Sequence, residues 1–139
     1  MNYLLDTCVI SELITKRPSE KVINWLDSQI EDRLFLSAIT IGEIVKGIEK
    51  QANSQGKETL TAWLENDLLE RFKGRLVGLD AMMLIVWGKV TAQLELRGKK
   101  IPAIDALIAA TAIQGDFVLV TRNVGDFTDT GVRILNPWD

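Results

Sequence analysis

The sequence contains no histidine among its 139 residues, and this absence removes several kinds of catalysis. Without an imidazole there is no histidine general base, no serine–histidine–aspartate triad and no zinc site with histidine ligands. If the chain is an enzyme, its proton transfer and metal binding therefore depend on carboxylate side chains.

Cysteine and long apolar runs are equally scarce. Cys8 is the only cysteine, so the chain forms no internal disulfide, and a structural thiol in a reducing compartment is expected. No run approaches the roughly 18 apolar residues of a membrane span, and the first residues lack the basic start and apolar core of a signal peptide. These features predict a cytoplasmic protein with no membrane partner.

The charge balance excludes one mode of binding. The chain has 16 basic and 19 acidic residues, a net charge of −3, so bulk positive charge does not hold it on nucleic acid. With 47% hydrophobic and 25% charged residues, the composition is that of a folded globular protein. The length predicts a single domain over residues 1–139.

Strand and helix patterns alternate along the whole chain. Short apolar and β-branched runs predict strands over 2–6, 34–37, 75–79, 117–121 and 132–135. Helical spacing of apolar residues predicts helices over 8–14, 19–30, 40–51, 57–73, 80–94 and 103–114. Because whole helices separate the strands, the strands cannot form hairpins. We therefore expect an α/β fold, a three-layer α/β/α sandwich with a mainly parallel central sheet.

Two acids near the start of the chain each have a structural and a functional interpretation. Asp6 follows the first predicted strand, at the edge where open α/β sheets bind ligands, yet it is also placed to cap the next helix. Glu43 completes a Thr40-x-x-Glu43 capping box, which is the favoured interpretation of this residue taken alone. Gly47, one turn further on, lacks a side chain and leaves room for a ligand beside Glu43.

Two further acids lie in the second half of the chain. Asp105 shares a predicted helix face with Ile101 and Ile108, and a carboxylate buried among apolar side chains has to be paired, protonated or metal-bound. The alternative for this acid is a favourable interaction with the helix N-terminus, which we rate below a functional site. Asp126 and Asn123 follow the fourth predicted strand, where both residue types are common in turns.

A parallel sheet would bring these acids toward one edge, because the ends of its first and fourth predicted strands lie close together. An all-oxygen cluster suits Mg²⁺ or Mn²⁺, since carboxylates this close otherwise repel one another. Such ions activate water and stabilise charge on a phosphodiester, so metal-dependent phosphoryl chemistry is the predicted use. Basic side chains near the acids are candidates to bind phosphates, with solvated surface as the alternative for each: Lys46, Lys50, Lys99, Lys100 and Arg122.

Four segments and the C-terminus form a pattern that spans nearly the whole chain. They are residues 4–13 (LLDTCVISEL), 43–48 (EIVKGI), 104–112 (IDALIAATA) and 120–123 (VTRN), with Asn136-Pro137-Trp138 at the end. In order and spacing the pattern resembles the PIN-domain ribonucleases. Its nearest branch is similar to the VapC and FitB toxins of bacterial type II toxin–antitoxin systems.

The resemblance implies an α/β/α sandwich, a Mg²⁺- or Mn²⁺-dependent endoribonuclease site for an RNA substrate, a homodimer and neutralisation by a cognate antitoxin. By position, Asp6, Glu43 and Asp105 match the three principal metal-binding acids of the family. Thr7 matches a hydroxyl near the metal, and Thr121 in the last matching segment is a further candidate beside the site.

The fourth acid is where the chain departs from the family pattern. Some relatives have aspartate directly after the threonine–arginine pair, where this chain has Asn123. The expectation is that Asn123 acts beside the site or through water, while Asp126 supplies the fourth catalytic carboxylate. Because position 123 is not acidic, the alternative function is a catalytically weak PIN-like module that binds RNA or protein.

Overall fold

The computed structural model describes all 139 residues and contains one five-stranded sheet with the strand order β3-β2-β1-β4-β5. Every neighbouring pair of strands is parallel, which confirms the predicted sheet. The five strands are β1 (Tyr3–Leu5), β2 (Leu34–Ser37), β3 (Leu76–Val77), β4 (Val118–Val120) and β5 (Ile134–Leu135). The order puts β1 in the centre of the sheet, next to β4.

Helices connect the strands and cover both faces of the sheet. They are α1 (Thr7–Leu13), α2 (Glu20–Ser28), α3 (Ala38–Glu49), α4 (Ser54–Trp63), α5 (Leu69–Arg71), α6 (Ala81–Leu96), α7 (Ala103–Gln114) and the short α8 (Val124–Phe127). The predicted bounds of α7 agree with the structure, and Asp80 caps α6 by accepting the N–H of Met83 at 2.9 Å. No helix of the chain combines the length and apolar character needed to cross a bilayer.

The helix predicted over 57–73 is divided in the structure. A π-helical segment, Leu64–Leu68, separates α4 from α5. Leu64, Leu68 and Phe72 are all buried in one core. On a regular α-helix, residues four positions apart point in directions that differ by about 40° around the helix axis. The wider π-helical turn reduces this angular difference, so the three side chains stay on one face of the helix.

The sheet separates two apolar cores, and neighbouring residues of β1 point into different ones. Leu5 packs in the core beneath α1 to α5, together with Ile10 and Val22. Leu4 packs in the other core, with Ile108 of α7 and Phe127 of α8. This alternation follows from the two-residue period of a strand, and it confirms the expected three layers.

The register of the central strands determines which residues meet at the carboxyl edge of the sheet. Leu5 pairs with Val120, and the backbone N–H of Asp6 donates to the carbonyl of Val120 at 2.9 Å. The residues that follow these two strands, Asp6 and Thr121, therefore lie side by side although they are 115 positions apart in the chain.

Candidate active site

Asp6 is buried where β1 ends, with only 5% of its surface exposed. Its Oδ1 accepts the backbone N–H of Thr7 at 2.8 Å, so the predicted capping of α1 is correct. Its Oδ2 accepts the hydroxyl of Thr121 at 2.8 Å. Burial raises the pKa of Asp6 because desolvation outweighs the hydrogen bonds it accepts, and the charge of Asp126 adds to the rise. Asp6 thus belongs to an acidic environment as well as to a helix cap.

Thr121 connects Asp6 to the segment that follows β4. Its side chain is fully buried, and its Oγ1 also accepts the backbone N–H of Asn123 at 3.0 Å. The amide side chain of Asn123 is exposed and makes no hydrogen bond. Of these two candidates beside the site, Thr121 contacts Asp6 directly through its side chain, whereas Asn123 contributes only its backbone N–H to Thr121.

Glu43 does not form the predicted capping box, because the N-cap of α3 lies three residues earlier than expected. Ser37 is the N-cap, and its hydroxyl accepts the N–H of Ile39 at 3.1 Å. Thr40 therefore lies inside the helix, where its side chain is fully buried. The carboxylate of Glu43 instead accepts the hydroxyl of Thr7 at 2.6 Å. The capping interpretation was wrong, and Glu43 is held at the same edge of the sheet as Asp6.

Asp105 lies in the first turn of α7 and is partly buried. Its carboxylate accepts no hydrogen bond and forms no ion pair. Its pKa is raised from 3.8 to about 6, first by desolvation and then by the negative charges of Asp6, Asp126 and Glu43, in that order. Asp105 therefore lies within electrostatic reach of the other three acids named from the sequence. A carboxylate with three acidic neighbours and no cation beside it does not stabilise the fold when it is ionised, but it is a suitable ligand for a metal ion.

The arrangement of these acids is open rather than a closed ligand cage. Asp126 is exposed in α8, and no three acidic or thiol side chains are close enough to hold one ion directly. Mg²⁺ commonly keeps several waters and takes only one or two carboxylates directly. The donor set consists of oxygen alone, so its chemistry fits a hydrated Mg²⁺ or Mn²⁺ ion.

Cys8 is a neighbour of Asp6 that the sequence patterns did not connect to the site. Its Sγ lies 3.8 Å from Oδ2 of Asp6 and 3.6 Å from Oγ1 of Thr121, and it accepts the N–H of Arg122 at 3.5 Å. Burial raises the pKa of the thiol, which favours its neutral form. Only its position two residues after Asp6 indicated this proximity in advance.

The predicted phosphate-binding residues differ in their surroundings. Lys46 and Lys50 are exposed on α3 beyond Glu43 and form no ion pair. Lys99 is paired with Asp129 at 3.1 Å. Lys100 is exposed and, with Asp126, lines a cavity of about 100 Å³. The guanidinium of Arg122 lies 5.3 Å from the centre of the Trp138 ring, which keeps it near the end of β4.

Comparison with known proteins identifies the fold. The PIN domain family model matches residues 3–132, and the chain therefore belongs to the PIN-domain family. Toxin FitB of Neisseria gonorrhoeae is 38% identical over 135 residues, which cover 97% of each chain. The VapC ribonuclease Y4jK of Sinorhizobium fredii is 35% identical over 136 residues, which cover 98% of this chain and 97% of the relative. Within its family, the chain is thus similar to the VapC and FitB proteins.

Solved structures agree with this assignment. The crystal structure of FitAcB from Neisseria gonorrhoeae contains a chain that matches with a TM-score of 0.93 and 38% identity, over 98% of both chains. The structure of VapBC2 from Rickettsia felis, bound to a DNA fragment from its promoter, matches with a TM-score of 0.83 and 25% identity over the whole of both chains. The resemblance predicted from the four sequence segments is confirmed.

Proposed function

We propose that this protein is an endoribonuclease and the toxin of a toxin–antitoxin pair, and that it hydrolyses RNA phosphodiester bonds with Mg²⁺ or Mn²⁺. The observation that carries the proposal is the position of Thr7, whose backbone N–H contacts Asp6 and whose hydroxyl contacts Glu43. Two carboxylates from separate elements are thereby held at one edge of the sheet, near enough to Asp105 to raise its pKa. Relatives named as a toxin and as a ribonuclease support the same function.

In this proposal a hydrated ion would be held between Asp6, Glu43 and Asp105, partly through its own waters, and Asp126 would add a fourth carboxylate. When bound there, such an ion would supply an activated water and would neutralise charge that develops on the phosphodiester. Thr121 and the N–H of Thr7 keep the two oxygens of Asp6 in place. No covalent nucleophile from the protein is required.

RNA is proposed to bind through local positive charge, because the net charge of the chain is −3. Lys46, Lys50 and Arg122 are exposed and free of ion pairs, so they are available to phosphates. Lys99 and Lys100 lie beside Asp126 on the other side of the acids. These contacts position the backbone of the RNA and carry no base specificity of their own.

An antitoxin segment is proposed to bind in an apolar groove next to the acids. A groove of about 200 Å³ is lined by residues that include Ile14 just after α1, Trp63 of α4 and Glu43 of α3. Val9 of α1 and Leu64, which follows Trp63, are buried in the core and do not line the groove. An amphipathic segment in the groove would bring a basic side chain within reach of Glu43.

A homodimer is proposed through α6, which carries unusually exposed apolar side chains. Met82 and Ile85, one turn apart, are 57% and 51% exposed. Exposed apolar patches commonly form interfaces with other chains. Sedimentation of the Ile85→Glu variant is expected to give a monomer where the unmodified protein gives a dimer, and an unchanged dimer would exclude this surface.

The experiment that tests the nuclease proposal is a cleavage assay on single-stranded RNA with Mg²⁺ or Mn²⁺ titrated against EDTA. Cleavage is expected only with the ion, and it should be lost in Asp105→Asn and kept in the matched control Asp27→Asn, whose carboxylate is exposed on α2. The exposed amide of Asn123, in place of an acid, favours a second candidate, a catalytically weak binding module. RNA binding without cleavage at any ion concentration would establish that second function.

A further inference from the structure

A second cavity begins at Glu43 and extends away from the antitoxin groove. It has a volume of about 550 Å³ and lies between α3 on one side and the starts of α6 and α7 on the other. Leu79, Ile104 and Leu107 form its apolar wall, and Glu43, Lys46 and Lys50 face them from α3. The volume is within the range of sites that bind small molecules.

The cavity is open, and nothing in the chain fills it. Leu79 is 53% exposed and Ile104 is 41% exposed, which is unusual for side chains of this size. On the opposite side α3 carries Gly42 and Gly47, and a Cβ atom built at either position would meet no atom within 4 Å. The two glycines therefore widen the cavity rather than permit close packing of another helix.

We propose that this cavity binds one base of the RNA, next to the phosphodiester at the acidic site, and that Lys46 and Lys50 contact the phosphates of that segment. The inference rests on the proposed nuclease function, since Glu43 belongs to both the cavity and the acidic site. A base has apolar faces and is joined to a negatively charged backbone. The cavity offers an apolar wall and, one to two helical turns from the acid, two lysines without acidic partners.

The charges also distinguish this occupant from a second copy of the chain. Lysine and glutamate are depleted at the centres of protein–protein interfaces, yet three residues that line this cavity are Glu43, Lys46 and Lys50. A second copy would bury these charges without a partner that the structure identifies. A strand of RNA would pair the lysines with phosphates and leave Glu43 at the metal.

The test uses a short single-stranded RNA that contains all four bases, together with derivatives in which each position in turn lacks its base. Dissociation constants are measured with Asp105→Asn protein, and kcat/KM is measured with the cleaving protein. One abasic position is expected to weaken binding about tenfold, which is the effect of returning roughly 55 Å² of apolar surface to water. In Leu79→Ala the intact RNA should bind more weakly, and the same abasic position should change affinity less than about twofold. Leu79→Met, which keeps an apolar side chain, should retain the discrimination.

The lysines are tested by the dependence of RNA affinity on salt. Removal of one phosphate contact lowers the slope of log affinity against log salt by about 0.7 for single strands. Lys50→Ala should show this decrease, Lys50→Arg should restore the slope, and Lys21→Ala, an exposed lysine of α2, should leave it unchanged.

Three results would overturn the inference. The first is that no abasic position weakens RNA binding, and the second is that the same abasic position weakens binding equally in Leu79→Ala and in the protein with Leu79. The third is that Leu79→Ala converts a dimer to a monomer in sedimentation, which would assign the cavity to a second copy. Cleavage of intact RNA by the unmodified protein is a separate measurement. The nuclease function can therefore stand where the base-binding cavity fails, and the binding series still tests the cavity if cleavage is absent.

Discussion

The hydroxyl of Thr7 donates a hydrogen bond of 2.6 Å to the carboxylate of Glu43, across 36 positions of the chain. The same hydroxyl oxygen lies 3.2 Å from Oγ1 of Thr40. This contact joins the first turn of α1 to α3 and orients one acid toward the edge where Asp6 lies. We therefore propose a positioning role for Thr7 that is separable from the role of the acids themselves.

Thr7→Val removes this hydroxyl and keeps the shape of the side chain. Groups that orient metal ligands typically contribute about 10- to 100-fold to metal affinity or activity, so a loss of this size in kcat/KM and in Mn²⁺ affinity is expected. Thr7→Ser keeps the donor and should retain most activity. Equal Mn²⁺ titrations by calorimetry for Thr7→Val and the unmodified protein would contradict the assignment.

Asp105→Asn should abolish RNA cleavage while the fold remains intact. The amide has the size of the carboxylate and lacks the charge that binds an ion. The loss should exceed the roughly 10- to 100-fold effect expected at Thr7. Cleavage at the normal rate by Asp105→Asn would mean that the metal site does not include this residue.

The stability of the same variant should depend on pH in a defined direction when measured in EDTA. The folded chain holds the Asp105 proton more tightly than the unfolded chain, with a pKa of about 6 against an ordinary 3.8. At a pH between 3.8 and about 6, unfolding therefore releases a proton from Asp105. The free energy of unfolding falls as pH rises through this range, and the stabilisation is lost once Asp105 ionises in the folded chain at a pH of about 6. Asp105→Asn should have a Tm equal to or above that of the unmodified protein above pH 6, and this advantage should disappear near pH 4. A markedly lower Tm at neutral pH would instead assign Asp105 a structural role.

The fourth position of the site is tested by a pair of substitutions. Asp126 raises the pKa values of both Asp6 and Asp105, so its charge reaches the acids, whereas Asn123 contributes no charge. Asp126→Asn should weaken Mn²⁺ binding, and Asn123→Asp should strengthen it by adding a carboxylate. Calorimetry that detects no effect of Asp126→Asn would move the fourth role to Asn123 or to water.

Arg122 is expected to contact an RNA phosphate from its position over Trp138. Arg122→Ala should weaken RNA binding and lower its salt dependence by about 0.7 in slope. The indole N–H of Trp138 is buried without a hydrogen-bond partner, so the ring face makes the useful contact. Trp138→Phe should therefore keep the RNA affinity of the unmodified protein. Trp138→Leu should weaken RNA binding almost as much as Arg122→Ala does. Equal affinities for Trp138→Leu and the unmodified protein would show that the ring does not position Arg122.

Inhibition by the antitoxin should compete with metal, because a basic side chain beside Glu43 would occupy the space of the ion or the phosphate. The measurement is to copurify the pair and replace each basic residue of the antitoxin tail with alanine. One variant should still bind and yet permit RNA cleavage. The idea is lost if every variant that binds inhibits fully at all Mg²⁺ concentrations.

The local pattern of the sequence was sufficient to predict the layers of the fold and the bounds of several helices and strands. Strands separated by whole helices cannot pair as hairpins, which requires the parallel sheet that the structure contains. The residues of β2 and α7 agree with their predicted bounds. Asp80 marks the start of α6 by its own chemistry, since its side chain accepts the N–H of Met83 within one turn of the chain.

Longer-range packing decided the start of α3 and the shape of the segment after α4. Ser37 and Thr40 are both suitable N-caps, and the sequence pattern favoured Thr40 because Glu43 follows it by three residues. In the structure Ser37 is the end of β2, paired with Val77, so the helix begins as soon as the chain leaves the sheet. The π-helical turn likewise depends on a core that Leu64 and Leu68 share with other elements.

The sequence by itself determined the residue types of the site: carboxylates without histidine, hydroxyls beside them and lysines along one helix. Each acid also had a local explanation, as a cap, a turn residue or a partner of a helix terminus. Only the tertiary structure decided which side chains meet, because the register of Leu5 with Val120 sets Asp6 beside Thr121, and the packing of α1 on α3 sets Thr7 beside Glu43. Contacts between residues so far apart in the chain arise from the pairing of whole strands and helices, which no local pattern contains.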